Sequence, residues 1–135
     1  ITIMLEEDAQ KIYGLDDIKT AETVYVTEGP FDSTFIPNSI AMCGADGDVS
    51  KWGITNPVWI YDNEPRNKEI IKKIEEVIDL GYRVCIWNDK RITECKDIND
   101  MIMSGLSESE VVEIINRNTV KGLSAKLQLV EYKKI

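Results

Sequence analysis

The chain has 135 residues, of which 43% are hydrophobic and 30% are charged, a balance typical of one folded domain with an ordinary core. It contains no histidine, which excludes histidine-based catalytic triads, histidine general bases and histidine-ligated zinc. Its net charge of −8 argues against a free-standing nucleic-acid-binding domain, because the chain as a whole would repel a polyanion.

The sequence carries no signal for secretion or membrane insertion. No apolar run approaches the roughly 20 residues needed to cross a bilayer, and no signal-peptide pattern is present. The three cysteines lack CxxC spacing, so we interpret them as packing residues of a protein in a reducing, cytoplasmic setting. Because the first residue is Ile and not Met, we expect the chain to be part of a longer protein.

Residues 1–23 are predicted to form a lead-in segment. Residues 1–5 fit an edge strand, residues 6–13 a short helix ended by Gly14, and residues 16–23 a polar connector. The lead-in precedes the part of the chain on which the functional prediction rests.

The next part of the chain is predicted to contain two strands and a short helix. An apolar, β-branched run at residues 24–27 ends at Glu28, where Gly29 turns the chain into a helix at residues 30–36. A second buried strand is predicted at residues 40–43. It leads into a loop rich in glycine and aspartate.

A third strand, at residues 58–61, precedes the longest predicted helix, at residues 66–80. Pro65 suits the first helical position, and Gly81 is the expected stop. Five apolar residues recur on one face of this helix at helical spacing: Ile70, Ile71, Ile74, Val77 and Ile78.

The C-terminal third is predicted to add a strand and two helices. The strand lies at residues 82–87, and a short helix follows at residues 97–104. Ser107 and Glu110 have the spacing of a capping box, which predicts a helix at residues 107–116.

Alternating strands and helices predict an α/β fold of compact, Rossmann-like type, with a mainly parallel four-stranded sheet flanked by helices. Residues 120–135 fit either a helix or a strand, and both stay open. We divide the single predicted domain into the lead-in, a core at residues 24–105, and a C-terminal helix and tail at residues 106–135 that pack on the core.

Acidic residues follow three of the predicted strands. Glu28 ends the first strand, Asp62 and Glu64 follow the third, and residues 96–100 read Lys-Asp-Ile-Asn-Asp after the fourth. Ligands of open α/β sheets bind at the carboxyl ends of the strands, so these carboxylates are predicted to converge on one edge. Carboxylate oxygens favour a hard cation such as Mg²⁺ or Mn²⁺.

Each acidic group also has a simpler interpretation. Glu28 could favour the N-terminal end of the helix that follows it. Asp62 or Asn63 could cap the helix that begins near Pro65, and the third acidic segment could cap the next helix. Capping does not explain why acidic residues follow three strands. The joint pattern therefore favours a metal-binding site.

The same residues carry a resemblance to the Toprim family, which includes bacterial-type primases, topoisomerases, nucleases and recombination mediators. The shared features are Glu28-Gly29-x-x-Asp32 after a strand, a later acidic pair, and the Lys-Asp-x-Asn-Asp segment. Longer phrases, among them EGPFDS, YDNEPRNKEI and KDINDMIMSG, are similar to the C-terminal Toprim domain of tailed-phage zinc-finger DNA primases. This similarity runs from about residue 10 to the end of the chain.

By position, the resemblance implies catalytic and metal-binding roles for Glu28, Asp62 and Glu64. It also implies that Asp32 and Asp97 either support the metal ligands from a second layer or are additional metal ligands. The general Toprim pattern has two aspartates where this chain has Asp62 and Glu64, and the glutamate keeps the charge but reaches one methylene further.

The reaction that the resemblance implies is nucleotidyl transfer, in which a primer 3′-hydroxyl attacks the α-phosphate of a ribonucleotide and pyrophosphate leaves. One or two ions of Mg²⁺ or Mn²⁺ would stabilise the attacking and leaving oxygens. Glu28 could accept the hydroxyl proton.

Other side chains near the acidic segments are candidates for nucleotide contacts. Arg66, Lys68 and Lys96 could bind phosphate, although charges on helices and loops are usually only solvated. Trp87, at the exit of a predicted strand, is a candidate for base stacking.

As a primase domain, the chain would act on a single-stranded DNA template and ribonucleotides, with an upstream zinc-binding module and basic region of the same protein and with a replicative helicase. It would work in the cytoplasm of a bacterial host, and the isolated chain is expected to be inactive in priming. Two alternatives stay open: a Toprim-type metal-dependent nuclease, and a non-catalytic docking module whose acidic edge binds a partner.

Overall fold

The computed structural model describes residues 3–4, 12–13, 22–42 and 53–135 of the chain. Its contacts divide the chain into two units, residues 1–58 and residues 59–135. Strands and helices alternate along the chain, and all four predicted strands are present. The fold therefore has the predicted α/β, Rossmann-like character.

The first unit contains four short strands, in the order β1-β2-β4-β3: β1 (Ile3–Met4), β2 (Ile12–Tyr13), β3 (Val24–Thr27) and β4 (Ser39–Ala41). Strands β3 and β4 are parallel, whereas β2 is antiparallel to both β1 and β4. Val24, Val26 and Ile40 are among the most deeply buried side chains of the unit. This core places the end of β3, and with it Glu28, at the carboxyl edge of a parallel strand pair.

Two predictions for the first unit need correction. Residues 12–13 were predicted to end a helix, but they form β2, because backbone pairing with Met4 and with Ala41 overrides their weak local helix preference. The predicted helix at residues 30–36 is shorter: α1 spans Pro30–Ser33. The chain then turns back to β4 through Asn38, whose φ is 50°.

Several predicted features lie outside the described residues. They are the rest of the predicted N-terminal helix, the last residue of the strand predicted at residues 40–43, and the loop rich in glycine and aspartate after it.

The second unit contains three strands in the order β5-β6-β7: β5 (Pro57–Ile60), β6 (Arg83–Cys85) and β7 (Thr119–Val120). The boundary between the two units falls within β5. Strands β6 and β7 are antiparallel, so antiparallel pairing is more extensive than the sequence predicted. The helices are α2 (Lys68–Asp79), α3 (Ile98–Met103), α4 (Glu108–Arg117) and α5 (Gly122–Tyr132), with a 3₁₀ turn at Lys90–Ile92.

Helix α2 confirms the predicted apolar face, since all five of the predicted isoleucines and valines are buried. Its start was predicted wrongly. Pro65 lies in the preceding turn, and Asn67 caps the helix by accepting hydrogen bonds from the N–H groups of Glu69 at 3.0 Å and Ile70 at 3.2 Å. The side chain of Asn67 makes position 68, and not position 65, the favourable start.

Helix α4 begins with the predicted capping box. The hydroxyl of Ser107 accepts from the N–H of Glu110, and the Glu110 carboxylate accepts from the N–H of Ser107, both at 3.1 Å. Of the described helices, none is long and apolar enough to cross a membrane.

Helix α5 decides the open prediction for the C-terminal tail in favour of a helix. The buried side of α5 carries Ala125 and Leu129, whereas Leu123, Leu127 and Val130 are exposed. The small side chain of Ala125 allows this side of the helix to lie against its neighbours.

Candidate functional site

Glu28 and Asp32 belong to the first unit and follow β3. Glu28 is half-buried directly after the strand, and Asp32 is half-buried in α1. The hydroxyl of Thr27 lies 3.0 Å from the carbonyl oxygen of Gly29, which fixes the turn that leaves the strand. The sequence prediction that Glu28 ends a strand at its carboxyl edge is confirmed. Its convergence with the carboxylates of the second unit stays a prediction.

Asp62, Asn63 and Glu64 form what we call the acidic turn, directly after β5. The N–H of Glu64 donates to the carbonyl of Asp62 at 3.0 Å, and the N–H of Asn67 donates to the carbonyl of Glu64 at 3.1 Å. All three side chains of the turn are half-buried. Because Asn67 caps α2, the interpretation of Asp62 or Asn63 as the helix cap is wrong.

The carboxylate of Glu64 is held by two neighbours. Lys96 places its ammonium nitrogen 3.8 Å from Glu64 Oε1, and the side-chain amide of Asn67 donates to Glu64 Oε2 at 3.4 Å. The Glu64 side chain is 29% exposed, against 60% for Lys96. Lys96, predicted to bind phosphate, therefore also balances the charge of the acidic turn.

The third acidic segment is used for local capping. Asp97 caps α3 by accepting from the N–H of Asp100 at 2.8 Å, and Asp100 accepts from the N–H of Lys96 at 3.1 Å. The capping interpretation is therefore correct for Asp97. The metal-binding role that the resemblance implies for it stays a prediction.

Asn63 is the residue that sequence reasoning missed. Its backbone N–H donates to the carbonyl of Lys96, and its side-chain amide donates to the carbonyls of Ile92 at 3.2 Å and Cys95 at 2.9 Å. Its amide oxygen accepts from the hydroxyl of Tyr132 at 3.0 Å. Asn63 thus brings the acidic turn against the segment that carries Lys96. The only signal in the sequence was an amide residue between two acids. The hydrogen-bond partners of this amide are too far along the chain to be inferred.

The C-terminal end of α5 is fastened to the same turn. Besides the bond from Tyr132, the N–H of Lys134 donates to the carbonyl of Pro65 at 2.8 Å. Burial raises the pKa of Tyr132, and the carboxylates of Glu64 and Asp62 raise it further. The phenol is therefore protonated at neutral pH and remains a hydrogen-bond donor to Asn63.

The remaining nucleotide-contact candidates separate into exposed and buried groups. Arg66 is exposed in the turn before α2, and Lys68 is exposed as its first residue. Trp87 is 5% exposed, and its indole N–H donates to the carbonyl of Tyr61 at 2.8 Å. Trp87 is thus mainly a core residue, which leaves little of its ring for stacking on an incoming base.

Within each unit, the described residues include no group of three acidic or cysteine side chains placed to hold a metal ion. Mg²⁺ commonly uses one or two protein carboxylates and completes its shell with water and substrate phosphate. Asp62 and Glu64 supply two carboxylates on one short turn at a strand exit, so the donor set fits such an ion.

Comparison with known proteins gives one strong similarity. Over 137 aligned positions the chain is 42% identical to a DNA primase of Enterobacteria phage T4. The alignment covers all of this chain and 40% of that primase, so the chain spans two fifths of the length of this relative. No protein-family model matches the chain. The similarity supports a primase-related domain.

Proposed function

We propose that this chain is the metal-binding catalytic domain of a DNA primase, of Toprim type, which makes RNA primers by nucleotidyl transfer. The observation that carries the proposal is the 42% identity to a phage primase over the whole chain. The acidic turn supports it, because its two carboxylates follow a strand, leave helix capping to Asn67, and are anchored by Asn63.

In this proposal Asp62 and Glu64 hold a divalent ion, and Glu28 and Asp32, which follow β3 in the first unit, are further candidate carboxylates. A bound Mg²⁺ or Mn²⁺ would supply charge stabilisation to the attacking and leaving oxygens. Glu28 accepts the proton of the primer 3′-hydroxyl. Asp97 caps the start of α3.

The cations near the acidic turn have distinct roles. Lys96, 3.8 Å from Glu64, limits the repulsion between the carboxylates before an ion binds. Arg66 and Lys68 are exposed beyond the turn, where their charges could contact the phosphates of a nucleotide. The template strand, the helicase and the upstream zinc and basic regions belong to the whole primase, and they are proposed partners of the protein that carries this chain.

The test is primer synthesis on a single-stranded template by the natural full-length protein, with Asp62→Asn as the variant. The substitution keeps the shape of the side chain and removes its charge, so we expect synthesis to fall at least about 100-fold. Asp79→Asn, at the exposed end of α2, is the matched control and should retain wild-type activity.

Both variants should remain folded, since neither aspartate caps a helix of the second unit. Full primer synthesis by a folded Asp62→Asn protein would contradict the proposal. A different outcome is that the wild-type protein makes no primers but cuts DNA or RNA in a metal-dependent reaction. If Asp62→Asn abolishes that cutting, the acidic turn belongs to a nuclease instead.

A further inference from the structure

Beside the acidic turn, the second unit contains a cavity of about 270 Å³. Three segments form its walls: the turn that holds Asn63 and Pro65, the loop that follows β6, and the C-terminal part of α5. Its inner wall includes Ile86, Trp87 and Ile92, each at most 5% exposed. These core residues make the inner side of the cavity firm but offer little apolar surface to a ligand.

The charged wall residues are two acids, Asp89 and Glu131, and two lysines, Lys90 and Lys134, and Arg91 lies just outside the wall. Arg91 donates to both carboxylate oxygens of Asp89, at 3.1 and 3.0 Å, and these hydrogen bonds lower the pKa of Asp89. With Asp89 balanced by Arg91, the cavity retains Lys90 and Lys134 against Glu131. Neither lysine forms an ion pair within the described part of the chain. This charge balance favours an anionic ligand.

Neutral polar groups complete the lining. Asn88 and Gln128 are wall residues with amide side chains, which carry a donor and an acceptor side by side. Thr93 is also a wall residue, and its hydroxyl donates to the carbonyls of Asp89 and Lys90, both at 3.4 Å. Paired donors and acceptors of this kind match the edges of nucleobases. Two residues with amide side chains and two lysines together suit a ligand with hydrogen-bonding ring edges and a phosphate.

The position of the cavity connects it to the acidic turn. Asn63 is a wall residue and lies between Asp62 and Glu64 in the chain. Tyr132, another wall residue, donates to Asn63 at 3.0 Å. A ligand in the cavity therefore lies next to the proposed metal-binding carboxylates and contacts the residues that fix them.

We propose that this cavity binds the base and ribose of a ribonucleotide and that Lys90 and Lys134 bind its phosphates. The assignment rests on the proposed function, because the ribonucleotide is the substrate of that reaction. The volume of about 270 Å³ lies just below the roughly 300–1,000 Å³ of ligand pockets. Such a space suits a mononucleotide and is too small for a folded peptide or a duplex.

Calorimetric titration of the natural full-length protein with ATP and Mg²⁺ tests the assignment, with adenosine and pyrophosphate as partial probes. Lys90→Ala should weaken ATP binding about tenfold, because it removes a charge-assisted contact to phosphate, and should change adenosine binding less than twofold. Lys126→Ala, exposed on α5 and outside the cavity wall, is the control and should bind ATP as the wild type does.

Gln128→Ala examines the base end of the cavity. It should weaken ATP and adenosine binding by similar factors, about threefold to tenfold, and leave pyrophosphate binding unchanged. Wild-type ATP affinity in both Lys90→Ala and Gln128→Ala would overturn the assignment. If pyrophosphate binds and Gln128→Ala does not change the affinity for ATP, the cavity binds only phosphate. This result would also overturn the assignment.

Primer synthesis by Asp62→Asn distinguishes the cavity from the proposed function. If Asp62→Asn abolishes synthesis while the cavity variants bind ATP normally, the proposed function stands and the cavity assignment fails. If the cavity variants lose ATP binding while Asp62→Asn synthesises primers normally, the cavity binds a nucleotide and the proposed role of the acidic turn fails.

Discussion

The acidic turn and the segment around Asp97 look alike in sequence but are built differently. Both follow a strand and precede a helix. Around Asp97 the carboxylates accept from N–H groups three and four residues away. In the acidic turn, Asn67 caps the helix that follows. Asn63 forms hydrogen bonds with Ile92, Cys95 and Tyr132, which lie 29, 32 and 69 positions further along the chain.

The difference shows which acids are candidates for ligand binding. A carboxylate that caps a helix already has its charge stabilised by backbone N–H groups, and a metal would compete with them. Asp62 has no role in capping α2, and its neighbour Asn63 holds the turn in place. The acidic turn is therefore the better candidate for the metal site, and Asp97 the better candidate for a structural role.

The largest effect expected from this comparison is that of Asn63→Ala. The substitution removes the amide that bonds the carbonyl of Cys95, the hydroxyl of Tyr132 and, beside the N–H of Cys95, the carbonyl of Ile92, so we expect a loss of about 2–4 kcal/mol in the free energy of unfolding. Urea denaturation measures it. Asn88→Ala, at an exposed position of the same unit, is the control and should cost less than about 0.5 kcal/mol.

A similar small cost for both asparagine variants would show that the long-range bonds of Asn63 add little, and the contrast between the two acidic segments would lose its structural basis. A large cost together with normal primer synthesis per folded molecule would mean that Asn63 supports the fold and does not position the carboxylates.

Asp97 allows capping and metal binding to be measured separately. Asp97→Ala should cost about 1 kcal/mol, because the N–H of Asp100 loses its acceptor, whereas Asp97→Asn should be nearly neutral, since asparagine caps as well as aspartate. If Asp97 is only a cap, Asp97→Asn should retain primer synthesis. A folded Asp97→Asn protein with strongly reduced synthesis would establish the metal role that the family resemblance implies.

Short-range features of the fold could be predicted from the sequence. The apolar face of α2 and the capping box of Ser107 and Glu110 are set by residues within one or two helical turns of each other. Predictions were wrong where a backbone partner is distant. Residues 12–13 resemble a helix end but pair with Met4 and Ala41. Tertiary hydrogen bonds outweigh a local preference of a few tenths of a kcal/mol per residue.

The candidate site divides in the same way. The carboxylates at the strand exits are visible in the sequence, because an apolar run that stops at an acid marks the end of a strand. The anchoring of Asn63 is not visible, because its partners are backbone carbonyls, which every residue carries. Tyr132 lies 69 positions from Asn63, on a helix that the sequence did not distinguish from a strand.

Tyr132→Phe isolates one of the long-range bonds. It removes the hydroxyl that donates to Asn63 and keeps the ring, so we expect a loss of about 0.5–1.5 kcal/mol near pH 7. Tyr82→Phe is a matched control, since the hydroxyl of Tyr82, within the described residues, makes no hydrogen bond. In the Asn63→Ala background, Tyr132→Phe should cost almost nothing, because the acceptor is already absent.

The pH dependence of the same variant gives a second measurement. Because the pKa of Tyr132 is raised in the folded protein, its contribution to stability is complete below the ordinary tyrosine pKa near 10 and is lost as the pH rises above it. The stability difference between the wild type and Tyr132→Phe should therefore shrink above about pH 10. If this stability difference stays constant up to pH 11, the phenol is not buried against the acidic turn. The proposed contact between α5 and that turn would then be wrong.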